Sequence, residues 1–461
     1  MNKYLSELID YAVNCNLIEK EDEIYCANRV LNLIGGDCFE KCEYTPHENL
    51  EQILKGLLDF AAEKGKLEID SITYRDLLSA EIMDVFTPRP SYVRSQFNEK
   101  YKKSPSLATD YYYALSRNNN YIMTNRVKKN IIWKTKTEKY GELDITINLS
   151  KPEKDPKDIA AAKTAKPSSP YPKCLLCKEN EGFAGHMSHP GRANHRIIPL
   201  NLAGESWNLQ YSPYVYYNEH CIVFKSEHEP MVVSKKTFDR LLDFVDIFPH
   251  YFLGSNAGLP IVGGSILTHD HYQGGNYEFP MAKCEIKIPL EFKGYENIKA
   301  GIVNWPLSTI RITGDSKEQL SELAEKILKV WENYSDEDNE ILAYTNQPHN
   351  AITPIARRRG ESFELDLILR NNRTSEEHPF GIFHAHQQYH HIKKENIGLI
   401  EAMGLAVLPP RLTTELGELN EETKNMIGDV FKNILENCGV YKDTEKGNKG
   451  FIKFAEEVNK N

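Results

Sequence analysis

The 461-residue chain has no run of about 18 apolar residues, and its first residues carry no apolar segment with a cleavage site. Nothing in it therefore reads as a membrane span or a secretory leader. A basic surplus is missing too. The formal charge is −10, which argues against a broad nucleic-acid surface, because phosphate backbones demand a basic face. A small phosphorylated ligand held by a few local cations is still allowed. Cysteine is sparse: nine residues, an odd number thinly spread, make no disulfide framework and read as reduced side chains. These absences predict a cytoplasmic protein without a nucleic-acid or membrane partner. What is present is an ordinary soluble composition, 40% hydrophobic and 26% charged, over a length that predicts two or three domains.

The first hundred residues keep helical spacing. Leu5, Leu8, Ile9, Ala12 and Val13 form one stripe, and Leu50, Ile53, Leu54, Leu57, Leu58 and Ala61 form another. Thr45 as N-cap, Pro46 in the first turn and Glu48 completing a capping box predict where the second of these helices starts. Near residue 130 the period changes: Leu143, Ile145, Ile147 and Leu149 alternate with Asp144, Thr146 and Asn148, as in a half-buried strand. A polar loop is expected over 151–170. Strands are expected at 221–225 and 285–292, with a helix between them capped by Ser234 and carrying Phe238, Leu241, Leu242 and Val245.

The pattern then recurs. A strand over 300–313, a helix with Leu320, Leu323, Ala324, Ile327, Leu328 and Trp331, and a strand over 363–369 lead to His384, His386 and Gln388, which repeat the spacing of His269, His271 and Gln273. The expected fold is α+β: two related halves facing each other, with antiparallel sheets and flanking helices, behind an N-terminal helical region. The expected boundaries are 1–125, 126–298 and 299–461.

Three features carry chemistry. His269, His271 and Gln273 lie between glycine pairs at 263–264 and 274–275; on an extended strand, alternate residues share a face roughly 7 Å apart, so three polar groups meet one ligand. The glycines let a ligand or a neighbouring backbone come close. A neutral imidazole at His271 can attack phosphorus without a base to deprotonate it, provided an acceptor such as a backbone carbonyl fixes its tautomer. Gln273 could donate its amide to a phosphoryl oxygen, and Ser265 its hydroxyl. Cys174 and Cys177 have the knuckle spacing of a zinc site, to be completed from His186, His189, His195, His220, His228 and His269; a redox dithiol and two core cysteines are the alternatives. Arg357-Arg358-Arg359 is a basic run that reads as solvated surface and stays outside the site.

The HxHxQ segment, the upstream CxxC and the duplicated layout resemble the hexose-1-phosphate uridylyltransferases of the histidine triad superfamily. His390-His391-Ile392-Lys393-Lys394 and its continuation to Pro409, Asn194-His195-Arg196-Ile197-Ile198-Pro199-Leu200, and the stretch from Tyr211 to His220 are similar to the second, largely bacterial type of that family, over essentially the whole chain. The resemblance implies a ping-pong exchange in which UDP-glucose gives its uridylyl group to His271 and galactose 1-phosphate collects it. It implies a structural zinc on Cys174, Cys177, His228 and His269, Asn256 at the nucleotide, Lys394 at the hexose phosphate, and a homodimer. The remaining histidines of the zinc candidates then serve as hydrogen-bonding residues. A second metal, iron or zinc, is implied at His349, His384 and His386 with Glu285 as a nearby fourth ligand, against a reading in which these histidines line a pocket or pack between the halves. Where the better-known type has proline between its histidines this chain has Asp270, expected to face away and change only local support. Two other functions are compatible with these motifs: a histidine triad nucleotide phosphorylase or hydrolase, and a non-catalytic zinc-stapled binding protein. Gln273 stands where hydrolytic relatives tend to carry a third histidine, which favours transfer.

Overall fold

The computed structural model describes residues 1–150, 171–264 and 266–460, which divide into two compact units. The polar stretch 151–170 and Ser265 lie outside the described residues. The first unit comprises Met1–Lys129, Ser150–Pro199 and Asn208–Val215 and is mainly helical. Its helices Asn2–Asn14 and Leu50–Glu63 bury Leu5, Leu8, Ile9 and Ala12 on one, and Ile53, Leu54, Leu57, Leu58 and Ala61 on the other. The second starts at Leu50 and not near Pro46. The Asn49 side chain accepts the Gln52 N–H at 3.2 Å, whereas the His47 N–H is taken by the Glu7 carboxylate at 2.6 Å, so the segment before Asn49 is tied to another helix and does not wind. Arg196 fastens this unit: it donates to the Pro88 carbonyl at 2.7 Å and to Asp84 at 2.8 Å.

Thirteen strands are described: β1 (Ile131–Lys136), β2 (Glu142–Ile147), β3 (Ile198–Leu202), β4 (Glu205–Tyr211), β5 (Cys221–Lys225), β6 (Phe252–Gly254), β7 (His271–Gly275), β8 (Ile286–Leu290), β9 (Lys299–Val303), β10 (Thr309–Gly314), β11 (Asn350–Arg359), β12 (Ser362–Asn371) and β13 (Leu405–Leu408). The main sheet has the order β3-β4-β5-β7-β6-β11-β12-β10-β9-β8, and β1, β2 and β13 form a second, smaller sheet. From β5 to β8 every pairing is antiparallel. The two expected halves pair at two places, β6 with β11, Gly254 opposite Ile355 and Leu253 opposite Ala356, and β8 with β9. They share one sheet, edge to edge.

The strand expected over 300–313 is two, β9 and β10. Asn304 donates its N–H to the Glu285 carbonyl at 2.9 Å, the Trp305 ring N–H goes to the Ala402 carbonyl at 2.9 Å, and Pro306 has no N–H to give a ladder, so the chain turns there. The helices Lys235–Ile247 and Lys317–Asn333 pack on each other and on β11. Trp331, fully buried, donates to the Ala351 carbonyl at 3.0 Å; burying a side chain of this size contributes roughly 2–3 kcal/mol. Leu143, Ile145 and Ile147 of β2 share a core with Phe252, Ile355, Ile368, Phe431 and Leu435.

Arg357 is not solvated. It is buried, reaching Glu364 at 2.5 Å and Asp366 at 2.7 Å, while Arg311 meets Asp366 at 2.7 Å. Burial alone would raise the Asp366 carboxyl, yet Arg357 and Arg311 hold it below the usual carboxylate range. Strand alternation sends Arg357 and Arg359 to one side of β11, which a reading of three consecutive arginines does not reveal. No helix among the described residues is long and apolar enough to cross a membrane.

Candidate active site and metal cluster

β7 is paired on both edges. Phe224, Val223 and Ile222 of β5 stand opposite His271, Tyr272 and Gln273, and β6 places Gly254 opposite Gln273 and Leu253 opposite Gly274. A strand held on both sides has a fixed register, so the alternation of its side chains is fixed as well. The glycines after Gln273 serve backbone and not ligand: a Cβ on Gly274 would stand 2.5 Å from the Phe252 carbonyl oxygen, and Gly275, at φ +148°, would bring one 2.6 Å from that of Glu219.

The two faces of β7 have separate partners. On one, Asp270 and Tyr272 turn to Arg240 of the helix Lys235–Ile247, whose Nη1 lies 3.2 Å from the carboxylate and 3.0 Å from the phenol. Arg240 also meets Glu205 at 2.8 Å and covers the Trp207 ring, which stacks on Tyr272 with centroids 4.7 Å apart. This is the support that Asp270 supplies, and burial lifts its carboxyl to about 6 even beside Arg240. Arg240 escaped the sequence reading because it sits between apolar positions of an amphipathic helix, where an arginine ordinarily faces water.

On the other face, His271 is buried, with Nδ1 2.8 Å from the His269 carbonyl oxygen. A carbonyl only accepts, so Nδ1 carries the ring proton and Nε2 keeps its lone pair. Burial pushes the pKa of His271 down to about 4, leaving the ring neutral at pH 7. Gln273 Oε1 lies 3.2 Å from His220 Nε2. A nitrogen with its lone pair and an amide thus emerge two residues apart on one pleat.

His269 does not share that face, because the strand begins only at His271. It joins Cys174, Cys177 and His228, each offering one ligand atom, all within 4.8 Å of one another. Asn180 ties the knuckle by donating to the carbonyls of Cys174 at 2.9 Å and Cys177 at 2.8 Å. His269 Nε2 is 2.8 Å from the Lys225 carbonyl, which accepts a hydrogen bond from that N–H and leaves Nδ1 as the ligand atom. Burial pushes the Cys177 thiol up to about 11, so a thiolate there calls for a cation beside it. Two sulfurs and two imidazoles form a set that can hold a metal. The other histidines near the motif bond elsewhere: His186 Nδ1 to Ser188 at 3.0 Å, His189 Nδ1 to the Pro190 carbonyl at 3.0 Å, and His195 Nε2 to Gln210 at 3.1 Å.

The second metal set does not assemble. Among the described residues, the cysteine-histidine cluster is the one group of three or more such ligands that comes together. His349 has both nitrogens engaged, Nε2 with Thr345 at 2.6 Å and Nδ1 with Asn372 at 2.8 Å. His386 faces the Ile382 carbonyl at 3.2 Å and stacks on His378, His384 is buried against its own loop, and Glu285 is exposed. Asn256 is buried, its Oδ1 accepting the Leu399 N–H at 2.8 Å, so it ties the loop before His269 to a distant turn. Lys394 is exposed; its neighbour Lys393 is the buried one, paired with Glu401 at 2.9 Å. Ser265 lies outside the described residues.

Comparison with known proteins places the chain in a family. Residues 16–230 match the family model of the galactose-1-phosphate uridyl transferase N-terminal domain, and residues 244–435 match that of its C-terminal domain. A galactose-1-phosphate uridylyltransferase of Clostridium acetobutylicum is 52% identical over 97% of this chain and 92% of its own length. Those of Fusobacterium nucleatum and Bacillus subtilis are each 48% identical, over 98% and 99% of this chain and 98% and 97% of theirs. With near-complete coverage at this identity, the chain belongs to the galactose-1-phosphate uridylyltransferase family of nucleotidyltransferases.

Proposed function

We propose that the protein exchanges a uridylyl group between UDP-glucose and galactose 1-phosphate through a covalent intermediate on His271. The observation that carries this reading is the 2.8 Å bond from His271 Nδ1 to the His269 carbonyl, which fixes Nε2 as the free nitrogen. Nε2 attacks the uridylyl phosphorus, an N–P bond forms, and the P–O bond to glucose 1-phosphate breaks, the leaving oxygen taking the electron pair. The ring then bears positive charge, and the carbonyl at Nδ1 strengthens its bond to a cationic donor. A phosphate oxygen of galactose 1-phosphate repeats the displacement on the intermediate and restores neutral His271. Gln273 offers an amide N–H to the phosphoryl oxygen on which charge grows. No water needs activation, and Asp270, the acid next to His271 in the chain, is turned to Arg240 on the other face.

Zinc suits Cys174, Cys177, His228 and His269, a closed set with no place for a reacting water. Its role is structural: it would hold the bend from which β7 starts. Asn256, Ser265 and Lys394 are assigned to nucleotide and sugar phosphate, a division at about residues 125 and 298 to the catalytic and echoing halves, and a homodimer to the assembly, which sedimentation checks.

The test is incubation with UDP-glucose labelled in the uridylyl phosphate. A phosphoramidate is acid-labile and base-stable, and this label is expected on the wild-type chain and absent from His271→Ala. Label that persists in His271→Ala overturns the reading, as does the steady release of free UMP in place of transfer.

A further inference from the structure

Gln273 can help a phosphoryl group only if its NH2 end, and not its carbonyl, faces that group. An unrestrained glutamine samples both. His220 is buried, its ring against Tyr217 with centroids 4.5 Å apart and against Tyr216 at 5.3 Å, and the Tyr217 hydroxyl donates to the Gly274 carbonyl at 3.0 Å. The imidazole is thereby anchored to β7 itself. Its Nε2 lies 3.2 Å from Gln273 Oε1, while Nδ1 is buried without a hydrogen-bond partner among the described residues.

Two arrangements satisfy that contact. In one, Nε2–H donates to the Gln273 carbonyl oxygen and Nδ1 is a bare lone pair. In the other, the proton sits on Nδ1, the amide is turned over, and its N–H donates to Nε2. The second buries an unpaired N–H, which folded proteins rarely tolerate, and aims a carbonyl dipole at the phosphoryl oxygen. The first leaves the amide NH2 pointing outward. Burial pushes the pKa of His220 down to about 3, so a doubly protonated ring does not compete. The preceding residue, Glu219, holds φ +52°, a conformation that a non-glycine residue keeps where its surroundings fix it. Here the Tyr251 hydroxyl donates to its carboxylate at 2.5 Å and Asn276 at 3.4 Å.

We propose that His220 is a positioning residue for uridylyl transfer, its ring N–H locking the Gln273 amide so that the NH2 end meets the phosphoryl group. This rests on the assignment of His271 and Gln273 made above. His220 touches no reacting atom; it acts through Gln273.

The experiment is single-turnover labelling with the same UDP-glucose, measured over a range of concentrations, on folded protein checked by thermal denaturation. His220→Phe keeps the stacked ring and loses the N–H, and is expected to slow labelling at saturation by about tenfold or more with little change in half-saturation. His220→Gln places an N–H at similar reach and is expected to recover to within about threefold of wild type. In a Gln273→Ala chain, adding His220→Phe should cost nothing further, since the two act as a unit. Gln273→Glu, which leaves His220 in place but turns only oxygen to the phosphate, should be as slow as Gln273→Ala. Additive losses in the double variant, a His220→Gln rate no better than His220→Phe, or a Gln273→Glu rate near wild type would each overturn the proposal. Label that survives in His271→Ala would instead sink the nucleophile assignment, a separate failure with a separate readout.

Discussion

His269, His271 and Gln273 and the later His384, His386 and Gln388 have the same spacing and occupy different structures. The first reach their places through β7, paired on both sides, where the pleat turns a spacing of two into a shared face for His271 and Gln273. The second lie after the end of β12, and Gln387–Tyr389 is a short 3-10 helix, in which residues two apart point in different directions. Their histidines face nearby carbonyls: His386 that of Ile382 at 3.2 Å and His384 that of Ala385 at 3.4 Å. Gln388 is exposed, whereas Gln273 is braced by His220. A motif therefore becomes chemistry here only where neighbouring strands hold it straight. The pair Gly274-Gly275 admits those neighbours, and Tyr389-His390 in the second copy does not.

The comparison breaks first on labelling. His271→Ala is expected to lower covalent uridylylation at least about a thousandfold, as loss of a nucleophile does, while His386→Ala stays within about threefold of wild type. Loss of label in His386→Ala alone would reverse the roles of the two segments. The metal sharpens it next. Elemental analysis of Cys174→Ser should show the metal lost, with Tm lowered by on the order of 10 °C, whereas His349→Ala should retain it. A metal equivalent lost from His349→Ala would show a second centre at the echoing segment.

Stability separates the two more gently. Arg240→Met leaves Asp270 buried without its partner and should cost about 3 kcal/mol in urea unfolding, part of which Asp270→Asn restores when the two are combined. Gly274→Ala forces a methyl group against the Phe252 carbonyl and should cost about 2 kcal/mol together with much of the activity. Gln388→Ala, at the matching place in the second segment, should change stability by no more than about 0.5 kcal/mol and leave the rate as it was.

Local signals were legible where the cause is local. The strand at Cys221–Lys225, the Ser234 cap with its Thr237 partner and the stripe from Leu320 to Trp331 stand where their periods put them. Asn49 and Asn304 show the limit: one helix start and one strand break were decided by Glu7 and the Glu285 carbonyl, far along the chain, and no window of neighbours contains them. At the site, the spacing of Cys174 and Cys177 pointed to a cluster, and the likeness to a family selected His228 and His269 from six candidate histidines. Arg240 left no trace in the pattern, because its burial depends on Asp270, Tyr272 and Glu205 converging on one guanidinium. The second set of histidines shows the converse. Its spacing is correct, and the strand that would give the spacing meaning is absent among the described residues.

The join between β6 and β11 has a consequence for the order of events during synthesis. β6 is only three residues long, and it lies between β7, which carries His271 and ends at Gly275, and β11, which starts only at Asn350. A ribosome releasing this chain from its N-terminus exposes the histidine strand well before the strand that covers the open side of β6. Until Ile355 and Ala356 arrive opposite Gly254 and Leu253, the nascent sheet ends in a three-residue margin able to pair with any other extended chain. Completion of the echoing half is thus what closes the sheet around the half that carries His271.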